Sequence, residues 1–448
     1  MDLQIVLRSW LLKHLPQHRP GGLVLGILIA LAQLTPARAW TAHAQGSWES
    51  WTVDWQGEAH EVRVYRPAGF PSHRPYPVVY LLSGWAMGLG MWERPELEQA
   101  ADAAQVLLVA LQGEDEGVPS YYSIYSGLPW PGGSAWQVSF YDWFFQGVLP
   151  WVEGRYPVRR DPGGRALVGF SMGGKGAFSL AAHRPDLFAA AASIAGVLDL
   201  SLHDSQAIRA VYGPRGADPL RSAADNPIEL APNLKGLSLM LFHGTADPEV
   251  SPAHSRRMHE TLQALGYPHQ WEEISGLGHE LSPTQIARIF EELDRVFRSP
   301  RRPPDRWSYR FAMTRARTVY GMTVMKTDPR AWTELWEIAP QGFEIRSGDP
   351  ITVITPRWYP SGARLYVRIQ DQASGAVARE GAVIARGGRL RLDVPAGHWQ
   401  VTIEHRTLAP SEGILPPSDA PFPITPDPVR PLRRKPLCSD ADLICYRF

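Results

Sequence analysis

The chain has 448 residues, enough for two or three domains, and its apolar (44%) and charged (20%) fractions are those of a folded protein rather than a disordered one. Lys plus Arg and Asp plus Glu both number 45, so no charge excess points to a nucleic-acid partner or an anionic surface. The 17 tryptophans are a high count, most of them expected in cores.

Arg8, Lys13 and Arg19 precede an apolar run over 23–32, followed by Ala37-Arg38-Ala39. A basic stretch, a short apolar stretch and an A-x-A site describe a secretory signal peptide over 1–39, and the run is too short to span a bilayer comfortably. Ala42-His43-Ala44 is a second cleavage candidate, and an uncleaved N-terminal anchor is the competing reading. No stable membrane span is expected once the signal is removed. The two cysteines, Cys438 and Cys445, lie together at the far end. In an exported protein a bridge closing this small loop is expected, as a local clip on the tail.

Residues 48–65 alternate apolar and polar side chains and predict two antiparallel strands turning near Gln56-Gly57. The continuous apolar runs 77–82, 106–111, 165–170 and 237–242 predict strands buried on both faces. Helical patterns follow at 96–104, 141–156, 251–265 and 284–297, with a small-residue strand at 188–195 and another at 269–274. Strands alternating with helices over 48–298 predict a parallel-rich α/β sheet covered on both faces. Ligands of such sheets bind beyond the carboxyl ends of the strands. The irregular stretch 112–137, with Tyr121, Tyr122, Tyr125, Trp130 and Trp136, is expected to cross that rim and shape substrate choice.

A basic, proline-rich break at 299–304 opens a stretch, 299–340, read as linker and transition strands. Over 341–409 the period becomes two (Leu365, Val367 and Ile369; Leu390, Leu392 and Val394; Trp399, Val401 and Ile403), which predicts a small β-sandwich. Its aromatics Trp358, Tyr359 and Trp399 suit either sugar stacking or core packing. Nine prolines between 410 and 436 leave an extended tail over 410–448.

Gly169-Phe170-Ser171-Met172-Gly173 is the segment with the sharpest chemistry. It fits the G-x-S-x-G turn between a buried strand and a helix, where the glycines allow a tight turn and the serine is held above the sheet. A serine hydroxyl needs a base, an orienting acid and an oxyanion hole to act as a nucleophile. Asp247 follows a buried strand directly and is the candidate acid, ahead of Glu249 and Asp225, which do not. His279, in a glycine-rich loop after the last strand, is the candidate base. His243 is its main rival, at a strand end where packing or a hydrogen bond near the rim is the plainer role. The oxyanion donors would be the N–H of Met172 and one from the turn Ser83-Gly84-Trp85, assigned to Trp85. His254 and His259 are spaced poorly for a shared metal and no H-E-x-x-H occurs, so neither metal nor cofactor is implied.

Taken together, Tyr80-Leu81-Leu82-Ser83-Gly84-Trp85, the elbow Gly-Phe-Ser-Met-Gly-Gly, His243-Gly244-Thr245-Ala246-Asp247 and Gly278-His279 resemble the esterase-D-like group of α/β-hydrolases. That group includes S-formylglutathione hydrolases, bacterial feruloyl and acetyl esterases and secreted mycolyltransferases. The resemblance spans about 48–298 and implies an α/β-hydrolase fold, followed here by the β-sandwich-like domain. It also implies a serine esterase with Ser171, Asp247 and His279 as triad and Trp85 and Met172 at the oxyanion hole. Ser83 departs from it, since many relatives carry His or Asp before the glycine. The expected substrate is a small-molecule or polysaccharide-linked ester. Acyl transfer by the same triad is the first alternative, and a peptidase or a non-catalytic surface-binding protein are further ones.

Overall fold

The computed structural model describes residues 45–405, apart from 116, 129, 132–135 and 137. The expected signal segment 1–39 and the tail 410–448, with Cys438 and Cys445, lie outside the described residues. Among the described residues, no helix is long and apolar enough to cross a membrane.

The first two strands, β1 (Ser47–Trp55) and β2 (Glu58–Arg66), form an antiparallel hairpin. Gln56 and Gly57 both take positive φ (54° and 84°), the pattern of a two-residue turn that matches the strand twist. β3 (Val78–Leu82), β4 (Leu107–Leu111), β5 (Arg165–Phe170), β6 (Ala190–Ile194), β7 (Ser238–Gly244) and β8 (His269–Ile274) then complete an eight-stranded sheet. Its order is β1-β2-β4-β3-β5-β6-β7-β8, and it is parallel from β4 onward. Every residue of β3, β4, β5 and β6 is buried, which explains their nearly continuous apolar character, broken by Arg165 and Ser193.

Four helices cover the sheet: α1 (Pro95–Ala104), α2 (Met172–His183), α3 (Ala253–Ala264) and α4 (Pro283–Arg298). Ser282 opens α4 with a reciprocal capping box to Gln285. The helical stretch over 140–155 contains a π-turn, Trp143–Val148, where a regular helix was expected. Gly147 sits there against the Trp55 side chain, so the widened turn accommodates the β1 edge.

Beyond 300 a six-stranded and a four-stranded antiparallel sheet pack on one shared apolar core that includes Leu335, Ile345, Val353, Leu365 and Leu392. The first strand begins at Trp307, well inside the stretch read from sequence as linker and transition strands. Trp307, Tyr309 and Phe311 point inward between Ser308 and Arg310, a two-residue period too brief to stand out beside the arginine-rich break.

This second part is bonded to the first through the end of α2. The Tyr309 hydroxyl donates to the His183 carbonyl at 2.8 Å. Asn233, buried between the two parts, donates to the carbonyls of Ala182 and Arg310 (both 3.0 Å) and accepts the Arg310 N–H at 2.8 Å. Last-turn helix carbonyls have no partner within the helix, so these bonds satisfy groups otherwise left bare. Asn233→Ala should therefore cost about 2–3 kcal/mol, since it strands several buried backbone groups. Urea unfolding of the variant against the parent measures it.

Candidate active site

Ser171 stands between β5 and α2 with φ 56° and ψ −117°, a conformation that non-glycine residues avoid. The neighbouring glycines show what forces it. A Cβ on Gly169 would stand 1.9 Å from the Gly173 carbonyl oxygen, and one on Gly173 would stand 1.9 Å from that of Leu82. The turn is thus packed directly against the end of β3 with no room for side chains. Ser171 N–H donates to the Ile194 carbonyl at 2.8 Å, tying the turn to β6. Met172, buried, opens α2, whose first N–H groups are free for a negatively charged oxygen.

Asp247 lies three residues beyond β7 with its carboxylate shielded from solvent. Oδ1 accepts the N–H groups of Glu249 and Val250, both at 2.9 Å. Oδ2 is 2.7 Å from Nδ1 of His279, whose side chain keeps 15% exposure. The His279 ring lies 4.8 Å, centroid to centroid, from Phe170, the residue before Ser171. The structure therefore brings Asp247 and His279 together and sets the pair against the elbow.

Trp85 follows β3 in an exposed loop, 46% accessible. Its neighbour Ala86, at φ 58°, gives its N–H to the Glu114 carboxylate at 2.6 Å. Ser83 is fully buried; its hydroxyl accepts from Trp92 Nε1 (3.1 Å) and its carbonyl from the Tyr122 hydroxyl (2.8 Å). The residue that departs from the family pattern is thus a structural anchor for the loop.

The rivals separate cleanly. Glu249 contributes its backbone N–H to Asp247. Asp225 is wholly buried under α2, where Lys175 Nζ (2.7 Å), His183 Nε2 (2.9 Å) and the Tyr212 hydroxyl (2.6 Å) converge on its carboxylate. Burial alone would raise that carboxyl, but Lys175 and His183 outweigh it and hold it well below the ordinary range. His243 is buried beside Asp247 rather than replacing His279. His254 takes the Asp199 N–H at 3.2 Å, whereas His259 pairs with His269 at 2.7 Å, so the two serve different neighbourhoods. Among the described residues, no group of three or more His, Cys, Asp or Glu is placed to hold a metal ion.

The long loop departs from expectation. Tyr121, Tyr122, Tyr125 and Trp136 are buried, and Trp130 packs over Gly213. Its aromatics are largely core rather than an open wall; Tyr122 fills the space beside Gly176 of α2. Three features were missed from sequence: the Lys175–Asp225–His183–Tyr212 cluster, the Glu114 anchor and the contact of His243 with Asp247. The first was beyond reach because its partners lie up to 50 residues apart, although a lysine inside an otherwise apolar helix was a signal.

A family model described as "Esterase: Putative esterase" matches residues 56–280. Esterase Rv1288 of Mycobacterium tuberculosis (strain ATCC 25618 / H37Rv) is 33% identical over 160 residues, covering 30% of this chain and 35% of that protein. An uncharacterized secreted protein of Arthroderma benhamiae is 26% identical over 155 residues, covering 33% of this chain and 16% of that one. The chain thus matches about a third of the length of the mycobacterial relative. Among solved structures, a ferulic acid esterase (18% identity, TM-score 0.48) covers 57% of this chain and 100% of its own. An S-formylglutathione hydrolase from Agrobacterium tumefaciens (20% identity, TM-score 0.47) covers 58% and 96%.

The buried cluster under α2 yields a stability test. Removing the carboxylate leaves Lys175 charged and unpaired, so Asp225→Ala should lose about 3–5 kcal/mol, with Lys175→Met in the same background restoring part of it. Because the folded carboxyl is held low, its contribution is complete above its ordinary value of 3.8 and is lost on acidification below it. Denaturant unfolding at neutral and acid pH should show the parent, but not the double variant, losing this increment.

Proposed function

The chain belongs to the esterase family matched over 56–280, and from that premise we propose that it is an exported serine carboxylic-ester hydrolase. Ser171 is the nucleophile, His279 the general base and acid, and Asp247 the residue that orients His279. The observation that carries this reading is the strained serine at a helix N-terminus with the Asp247–His279 pair, its carboxylate buried and its imidazole packed on the neighbouring Phe170. Export rests on the A-x-A-terminated segment 1–39.

In the reaction, Ser171 Oγ bonds to the ester carbonyl carbon while its proton passes to Nε2 of His279. Nδ1–H of His279 stays on Asp247 Oδ2, which stabilises the imidazolium. The carbonyl oxygen becomes an oxyanion, received by the N–H of Met172 and of Trp85. As the carbonyl re-forms, the bond to the alcohol oxygen breaks and His279 returns the proton to it, leaving an acyl group on Ser171. Water, deprotonated by the same histidine, then attacks the acyl carbon and releases the acid and the free serine. The substrate is a small-molecule or polysaccharide-linked ester.

Ser171→Ala should keep the fold and lose about 10⁴-fold or more in kcat toward a short p-nitrophenyl ester. It should also lose covalent labelling by a fluorophosphonate probe, read by intact-protein mass spectrometry. Turnover near the parental rate in this variant would overturn the assignment.

A further inference from the structure

Asp247 touches a second imidazole besides His279. His243, the penultimate residue of β7, is fully buried with Nε2 3.2 Å from Asp247 Oδ2, the oxygen that also meets His279. The same Nε2 lies 2.9 Å from the Val250 carbonyl, and Nδ1 lies 2.7 Å from the Ser255 hydroxyl on α3. We propose that His243 is a positioning residue for the reaction, a neutral imidazole whose Nε2–H is shared with Asp247 Oδ2 and fixes that carboxylate for His279. This inference rests on the triad reading above.

The tautomer follows from the partners. A backbone carbonyl only accepts, so the Val250 contact puts the proton on Nε2. Nδ1 is then an acceptor and takes the Ser255 hydroxyl proton. Burial pushes the imidazole below its usual value, outweighing the opposing pull of the Val250 carbonyl and of Asp247. The other polar groups around it are His279 from the following loop, His254 on α3, and Glu273 on β8, which is engaged by Arg256 of α3. Ala195, which lies beside β7 after β6, brings no charge.

Val250 closes the arrangement. Its N–H binds Oδ1 of Asp247 while its carbonyl binds His243, whose Nε2–H leans toward Oδ2. The carboxylate is therefore gripped at both oxygens by one short segment and one imidazole. The carboxylate is thereby kept from swinging away from His279.

His243→Leu, His243→Gln and Ser255→Ala in the full chain test this. The readouts are kcat and KM on p-nitrophenyl acetate, the rate of Ser171 labelling by a fluorophosphonate, and circular-dichroism melting. His243→Leu should lower kcat on the order of 10-fold with KM little changed, because His243 meets Asp247 and not substrate. His243→Gln, whose amide keeps an N–H and a carbonyl, should recover most of the lost kcat. Ser255→Ala, which frees Nδ1 and loosens the ring while leaving the Val250 contact in place, should lower kcat the same way by less. A folded His243→Leu with parental kcat, or one whose loss His243→Gln does not recover, overturns the inference; if His243→Leu does not fold, a parental kcat in Ser255→Ala does so. A parental chain whose Ser171 takes no probe overturns the triad reading itself, and this inference with it.

Discussion

A serine at φ 56° and ψ −117° holds about 1–3 kcal/mol of backbone strain and persists only where its surroundings over-determine it. Here they do so from four sides. Its N–H is tied to Ile194 of β6, and its carbonyl receives the Lys175 N–H at 3.2 Å. Gly173 is pressed on the Leu82 carbonyl at the end of β3. Lys175, one turn along α2, is locked by Asp225. The proposed relay of Asp247 and His279 would be useful only against a hydroxyl whose position is fixed, so the proposed chemistry presupposes this clamp.

The β-sandwich belongs to the same clamp. It supplies partners to the last carbonyls of α2 through Tyr309 and, via Asn233, joins Arg310 to that helix end. The Arg317 guanidinium donates to the Tyr141 hydroxyl at 2.6 Å, beside the π-turn segment. Arg330 makes a two-pronged contact with Asp218 (2.9 and 3.1 Å), the cap of a short helix whose Arg221 binds the Leu128 carbonyl and lies over the Tyr125 ring. A chain of bonds thus runs from the sandwich to the loop beside the site. The sandwich seats the helix that follows Ser171, whatever else its outer faces do.

Much of this was legible in the sequence because it is locally encoded. Continuous apolar runs mark strands buried on both faces, and glycines at 169 and 173 mark a turn where no side chain fits. The Asp247–His279 pairing was anticipated because each lies in the loop after a strand's carboxyl end, where such sheets collect their ligand-facing residues. The misjudged features are those fixed by distant partners. Tyr122 looked like a rim aromatic, yet its hydroxyl closes on Ser83 and Leu111 carbonyls at the ends of β3 and β4. Nothing within its own loop announces that. Asp225 ranked only as a weaker candidate acid until the fold brought Lys175 and His183 to it.

The buried tyrosines leave the loop after β3 as the part of the elbow's surroundings where a fixed backbone meets free side chains. Ser83 is pinned by Trp92 and Tyr122, and the Ala86 N–H by Glu114, so the peptide units on either side of Trp85 have little freedom. The side chains of Trp85 and Met87 nevertheless stay 46% and 44% exposed, as does Leu128 at 56%. The division suits an esterase. Donors to an oxyanion act through preorganisation and gain from a rigid backbone, whereas contacts to a varied ester gain from side chains still free to adapt. Glu114 is what allows both in one loop, because a single carboxylate fixes the main chain without covering the side chains beside it.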